Sequence, residues 1–114
     1  MVGKISPTKR VMISSSKGKD IIMWSIESGT RLVSKKFMSE ITEICLDNKE
    51  KYILVTFSND NHIVVLDFLS LDIIHALTGH EAKIMSLHFD HNFKQLVSLG
   101  KDRTARVWQF DKII

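Results

Sequence analysis

Residues 79–108 read GHEAKIMSLHFDHNFKQLVSLGKDRTARVW. Within this stretch, short runs of aliphatic, β-branched and aromatic residues at 84–89, 95–99 and 104–110 alternate with segments rich in Asp, Asn, Gly and Lys. Runs of that length and composition predict strands separated by tight turns. The stretch also recurs. Trp108 is matched by Leu66 and Trp24 at successive spacings of 42 residues, Ser98 by Thr56 and Ser14, and Asp102 by Asp60 and Gly18. Flanking positions agree in character: Met12, Leu54 and Leu96; Ile13, Val55 and Val97; Met23, Val65 and Val107; Ile26, Phe68 and Phe110. Upstream, Ile41, Ile44, Leu46 and Asp47 match Ile84, Leu87, Phe89 and Asp90 at a spacing of 43, which puts one extra residue in the polar segment 48–51. A fixed period near 42 is the mark of a repeat architecture.

The other copies read the same way. Strands are predicted at 11–14 and 52–57, at 21–26 and 62–68, at 31–34 and 72–77, and at 41–46. The apolar runs are too short, and too poorly matched to a 3.6-residue stripe, for helices. The expected class is all-β, built from four-stranded antiparallel meanders of about 42 residues. Residues 2–5 align only weakly with the strand at 41–46.

The unit resembles the WD40 repeat. The resemblance is fullest in the third copy: Gly79-His80, then Ile84, Ser86, Leu87 and Phe89, then Leu96-Val97-Ser98, then Asp102, Thr104 and Arg106-Val107-Trp108, with Gln109 where an Asp usually follows the Trp. In the second copy Phe37-Met38 stands at the Gly-His place and Leu66-Asp67 at the Trp-Asp place. The first keeps Ser14 and Trp24 but has Gly18 at the turn Asp. What the resemblance implies is a β-propeller: units at 1–37 (partial), 38–80, and 81–114 (partial), together about 2.7 repeats in one partial domain spanning 1–114. Ring closure takes at least four blades, so a chain of this length is expected not to close alone. Further blades from the same or another chain, or self-association, would complete it.

The resemblance also implies a hydrogen-bonded tetrad of His80, Ser98, Asp102 and Trp108. The chemistry suits it, since a buried indole N–H must find an acceptor and a Ser–His–Asp chain can relay donor to acceptor. The same three residue types could compose a hydrolase triad. However, Ser98 falls mid-strand, and no G-x-S-x-G elbow surrounds it. Zinc ligation by His75 and His80, or by His88 and His91, lacks the four Cys or His ligands of a structural site. Cys45 reads as a small apolar core residue. There is no phosphate-binding glycine motif. No catalytic residue, metal or cofactor is therefore assigned. In the family, the interaction rim lies just after the Gly-His position and just before the turn Asp. That carries over to Lys83, Met85, Glu40 and Thr42, and to Lys101, Asn59 and Lys17.

Across its 114 residues the chain holds 16 Lys and Arg against 13 Asp and Glu, a net charge of +3, with 44% apolar residues, which is ordinary globular composition. A single cysteine cannot form an internal disulfide and favours the cytoplasm or nucleus. No apolar run is long enough to span a bilayer. The expected function is a WD40 scaffold that binds proteins within a multi-subunit complex, without catalysis of its own. An RNA-associated WD40 subunit is the alternative that the mild basicity allows. Aromatic residues for base stacking are missing from the rim positions.

Overall fold

The computed structural model describes residues 2–6, 9–15, 19–47, 49, 51–58, 61–78, 80, 82–90 and 94–113. Lys17, Gly18, Asn59, Asp60, Gly79 and His91, singled out above, lie outside the described residues. The strands are β1 (Val2–Ser6), β2 (Val11–Ser15), β3 (Asp20–Ser25), β4 (Arg31–Lys36), β5 (Ile41–Leu46), β6 (Tyr52–Phe57), β7 (Ile63–Asp67), β8 (Ile73–Leu77), β9 (Ile84–Phe89), β10 (Gln95–Gly100) and β11 (Ala105–Gln109). They form three antiparallel meanders in chain order: β1-β2-β3-β4, β5-β6-β7-β8 and β9-β10-β11. β1 lies against β5 and β5 against β9, so the first strands of the sheets stand side by side. The three sheets do not close into a ring.

Two expectations change. β1 pairs along its length with β2, from Val2↔Ser15 to Ser6↔Val11, so the first unit is a full four-stranded sheet and not a partial one. The run at 104–110 ends as a strand at Gln109, and Phe110 opens a helical turn, α1 (Phe110–Ile113). The reason is packing. Phe110 is buried, with its ring edge-on to Phe89 at 5.0 Å and to Tyr52 at 6.0 Å.

The middle sheet is covered on both faces. Ile53, Val55, Phe57 and Leu66 pack with Val11, Ile13, Ile21 and Met23 of the first sheet. Leu54, Ile63, Val65 and Leu77 pack with Ile84, Leu87, Leu96 and Phe110 on the third-sheet side. This is why β6 reads as an unbroken apolar run: period-2 alternation persists, but both faces are core.

The register relocates the one-residue slip. Met12 pairs with Trp24, Ile53 with Leu66 and Leu96 with Trp108. Met12, Ile53 and Leu96 are therefore equivalent, as are Ser14, Val55 and Ser98. Thr56 does not stand at the Ser98 place. The extra residue of the second unit falls between β6 and β7, not in 48–51. Those turns match in length because Asp47 and Asp90 clamp them alike. Asp47 Oδ1 accepts from the N–H groups of Lys51 and Tyr52, both at 2.9 Å, and Asp90 Oδ1 accepts from Lys94 and Gln95 at 3.0 and 3.2 Å.

The β3–β4 and β7–β8 turns share one shape, with Gly29 at φ 68° and Leu71 at φ 62°. A left-handed non-glycine residue costs about 1–3 kcal/mol. Leu71 is fully buried among the core residues between the first and second sheets, and burying a leucine returns about 1.5–3 kcal/mol. Asp67 holds the same turn, accepting from Ser70 N–H (2.9 Å), Ser70 Oγ (3.0 Å) and Leu69 N–H (3.1 Å). These donors, the Ser70 N–H foremost, hold its carboxyl below its ordinary value.

Because Leu54 is fully enclosed between the second and third sheets, Leu54→Ala should lower unfolding free energy by about 2–5 kcal/mol. A urea titration read by far-UV circular dichroism measures it.

Candidate functional site

The structure brings His80, Ser98, Asp102 and Trp108 together. Ser98 Oγ, fully buried on β10, accepts from Trp108 Nε1 at 2.9 Å and lies 2.6 Å from His80 Nε2. His80 Nδ1 lies 3.3 and 3.4 Å from the two Asp102 oxygens. One proton order gives every hydrogen an acceptor: the indole donates to Ser98, Ser98 to Nε2, and Nδ1–H to the carboxylate. The geometry removes Ser98 from hydrolase chemistry, since its oxygen is enclosed and already accepts the indole N–H.

Sequence reasoning missed three members of the cluster. Thr104 Oγ1 donates to Asp102 Oδ1 at 2.6 Å and lies 3.3 Å from His80 Nδ1. Asn61 Nδ2 donates to the His80 carbonyl at 2.6 Å, tying the β6–β7 turn to the segment before β9. Gly100 makes the room: a Cβ there would collide with Asp102 Oδ1 and sit 2.5 Å from His80 Nδ1. The signal for Gly100 is weak: a glycine ending the strand, two residues after Ser98 and two before Asp102.

The other units solve the same position differently. In the first, Trp24 Nε1 donates to Ser14 Oγ at 2.8 Å, and the Arg31 guanidinium stands 5.5 Å from the ring centre. In the second, Ile41 pairs with Phe57 as Ile84 pairs with Gly100. Spacing along these strands then makes Phe37, not Met38, the equivalent of His80. Phe37 packs on Phe57 with ring centres 5.3 Å apart, while Met38 is 93% exposed. An aromatic pair thus replaces the His–Gly pair. Thr56, displaced from the Ser98 place, bonds Thr42 Oγ1 at 2.9 Å.

The rim residues separate. Lys101 N–H donates to the Lys83 carbonyl at 2.8 Å, which places two lysines side by side at one end of the third sheet. Met85 is 54% exposed beside them. The matching bond in the second sheet runs from Ser58 N–H to the Glu40 carbonyl at 2.9 Å. Ser58 is thus the equivalent of Lys101, a place that the 42-residue spacing assigns to Asn59. Glu40 is exposed, and Thr42 is half-buried and engaged with Thr56. His75 sits half-exposed on β8 and His88 exposed on β9, while His80 is held in the tetrad. Among the described residues no cluster of three or more His, Cys, Asp or Glu could hold a metal ion.

Cys45 is half-buried against the core between the second and third sheets, and burial pushes its thiol up from its ordinary 9.0 to about 11. The folded chain therefore favours the neutral thiol. Stability from this source is in place below the thiol's unfolded value near 9 and is lost as pH rises toward 11. Wild type should lose more stability than Cys45→Ala between pH 8 and 11, as measured by thermal melts. Trp108→Ala and Asp102→Ala should each cost about 2–4 kcal/mol, from the cavity and from polar groups left unpaired. A melt unchanged in either variant would remove the tetrad's stabilising role.

Comparison with known proteins bears on the repeat and the fold. The family profile described as WD domain, G-beta repeat, matches residues 71–109. Cell division control protein 4 of Saccharomyces cerevisiae is 34% identical over 61 residues, covering 54% of this chain and 8% of its own. Nuclear distribution protein PAC1 of Komagataella phaffii is 30% identical over 121 aligned residues, covering 91% of this chain and 24% of its own. This chain therefore spans under a quarter of the length of both relatives. The crystal structure of RRP9 WD40 repeats superposes over 97% of this chain and 35% of that chain, with a TM-score of 0.86 at 24% identity, a likeness of fold. Sequence, strand topology and comparisons converge: the chain belongs to the WD40-repeat family, and its sheets are blades of a WD40 β-propeller.

Proposed function

We propose that the chain is a non-catalytic scaffold that binds other proteins through the rim at one end of its sheets, within a multi-subunit complex in the cytoplasm or nucleus. The units at 1–37, 38–80 and 81–114 act as one platform. The observation that carries this reading is the Lys101–Lys83 backbone bond, which brings two lysines to one end of the third sheet near the exposed Met85. Two cationic side chains on neighbouring backbone positions, with an adaptable thioether nearby, suit an acidic or phosphorylated peptide. Among the described residues, the polar constellation that resembles catalytic machinery is spent internally, with Ser98 enclosed and His80 bonded on both ring nitrogens.

Two adjacent lysines also fit an RNA backbone, and salt separates the two readings: RNA binding falls steeply as counterion release is suppressed. Lys83→Glu combined with Lys101→Glu should abolish recovery of protein partners in pull-down while leaving the melt unchanged. Retained recovery would place the partner surface elsewhere. Loss of RNA retention alone, with protein recovery intact, would favour the RNA reading.

A further inference from the structure

We propose that an open cleft at Phe37 and Phe57 takes one apolar side chain from an extended segment of a partner protein, while an Asp or Glu of the same segment, about three or four residues away, meets Lys83 and Lys101. The inference rests on the rim reading above and narrows its partner to a segment with an apolar anchor and a carboxylate at a set spacing. The cleft lies where the first sheet hands over to the second, and its walls belong to those two sheets. Phe37, Met38, Ser39 and Phe57 line it, and its volume is about 160 Å³. A cavity of about 150 Å³ lined by aliphatic and aromatic groups holds a benzene molecule, so there is room for one side chain of leucine or phenylalanine size. Met38 stands almost wholly exposed at the lip. The third unit keeps no such room: His80 and Gly100 hold the equivalent places, and the imidazole there is tied to Ser98 and Asp102. In the second unit two rings tilted by 50° take the place of that closed network.

The cleft and the lysine pair share one end of the fold. β5 and β9 lie against each other, and Glu40 and Lys83 hold equivalent places just before them. The two features are therefore one sheet apart. Stacked sheets stand about 10 Å from each other and an extended chain advances about 3.3 Å per residue, which sets the spacing of anchor and carboxylate at about three or four residues. Beside the cleft the charges offset: Lys35 Nζ stands 5.9 Å from the Phe37 ring centre, and the exposed Glu40 follows Ser39. That end selects by apolar contact. At the other end the backbones of Lys83 and Lys101 are bonded, and the carboxylate of Asp102 is engaged by His80 and Thr104. That end selects an anion. An RNA strand would carry a phosphate at every step, past Glu40 as well as the lysines, whereas a peptide places its charge at one position. A side chain seated in a pocket supplies binding free energy, and the charge pair fixes the register of the segment.

A random peptide library displayed on phage and selected on the 114-residue chain tests the pairing. Enriched sequences should carry Leu, Met or Phe about three or four residues from an Asp or Glu. A selection without that spacing would overturn the proposal. The most enriched peptide is then measured against variants by fluorescence polarisation. Met38→Gln keeps the side-chain length and charge but makes the lip polar, and should weaken binding about tenfold with unchanged far-UV circular dichroism. Met38→Leu should bind as wild type does. Replacing the peptide's apolar residue by Ala should cost much less in Met38→Gln than in wild type, because the two changes remove one contact. Additive losses would overturn the cleft as the seat of that residue. Lys83→Glu combined with Lys101→Glu should abolish binding. Binding lost in that double variant but untouched by Met38→Gln would leave the rim reading standing and overturn the cleft. Binding unchanged in the double variant would overturn both.

Discussion

A β-sheet whose two faces are both apolar cannot stand against water on either, and β6 imposes that condition on the whole molecule. Ile53 and Val55 point one way, Leu54 the other, and all three are fully enclosed. The first and third sheets are held in place as the covers this strand requires. Hairpin turns, capped by Asp47, Asp67 and Asp90, fix the register that presents the right face to the right cover. A slip of one residue in β6 would exchange its faces and break both cores at once.

Within that frame, the units use different chemistry at equivalent places. The third unit fills the space before its first strand with a histidine, which needs a glycine opposite and a serine, an aspartate and a threonine to satisfy it. The second fills it with two aromatic rings packed at a tilt, Phe37 and Phe57, and needs no polar partner. A buried polar chain specifies its neighbours strictly, because each member left unpaired is costly, whereas an aromatic pair asks only for volume. The network therefore fits as one means of locking a blade, interchangeable with hydrophobic packing, and not as a reaction centre.

Much of this was legible in the sequence. The period followed from Trp24, Leu66 and Trp108, the all-β class from short apolar runs between polar turns, and the tetrad residues from the resemblance to the WD40 repeat. What was not legible was alignment inside the apolar runs. Leu54 and Val55 both look like partners for Leu96 and Val97 at a spacing of 42, and only the hydrogen-bond ladder shows that the columns shift by one. Val55, Leu54 and Ile53 are chemically alike, so composition could not place the extra residue, and Thr56 was matched to Ser98 by its hydroxyl. Gly100 and Asn61 were hidden for another reason. One acts through the volume it leaves empty and the other through a main-chain carbonyl 19 positions away in sequence.

Every strand pairs only with its neighbours in sequence. Loop closure within each meander therefore spans a handful of residues, and the entropy lost in forming any one sheet is small. Such an arrangement folds as a line of nearly independent hairpin stacks, coupled only where adjacent sheets touch. Damage should stay local as well: a lesion in the third sheet loosens its contact with the second but leaves the packing between the first two intact. Losing a whole unit is a different matter: without the third sheet, Leu54, Ile63 and Val65 of the middle sheet would face water.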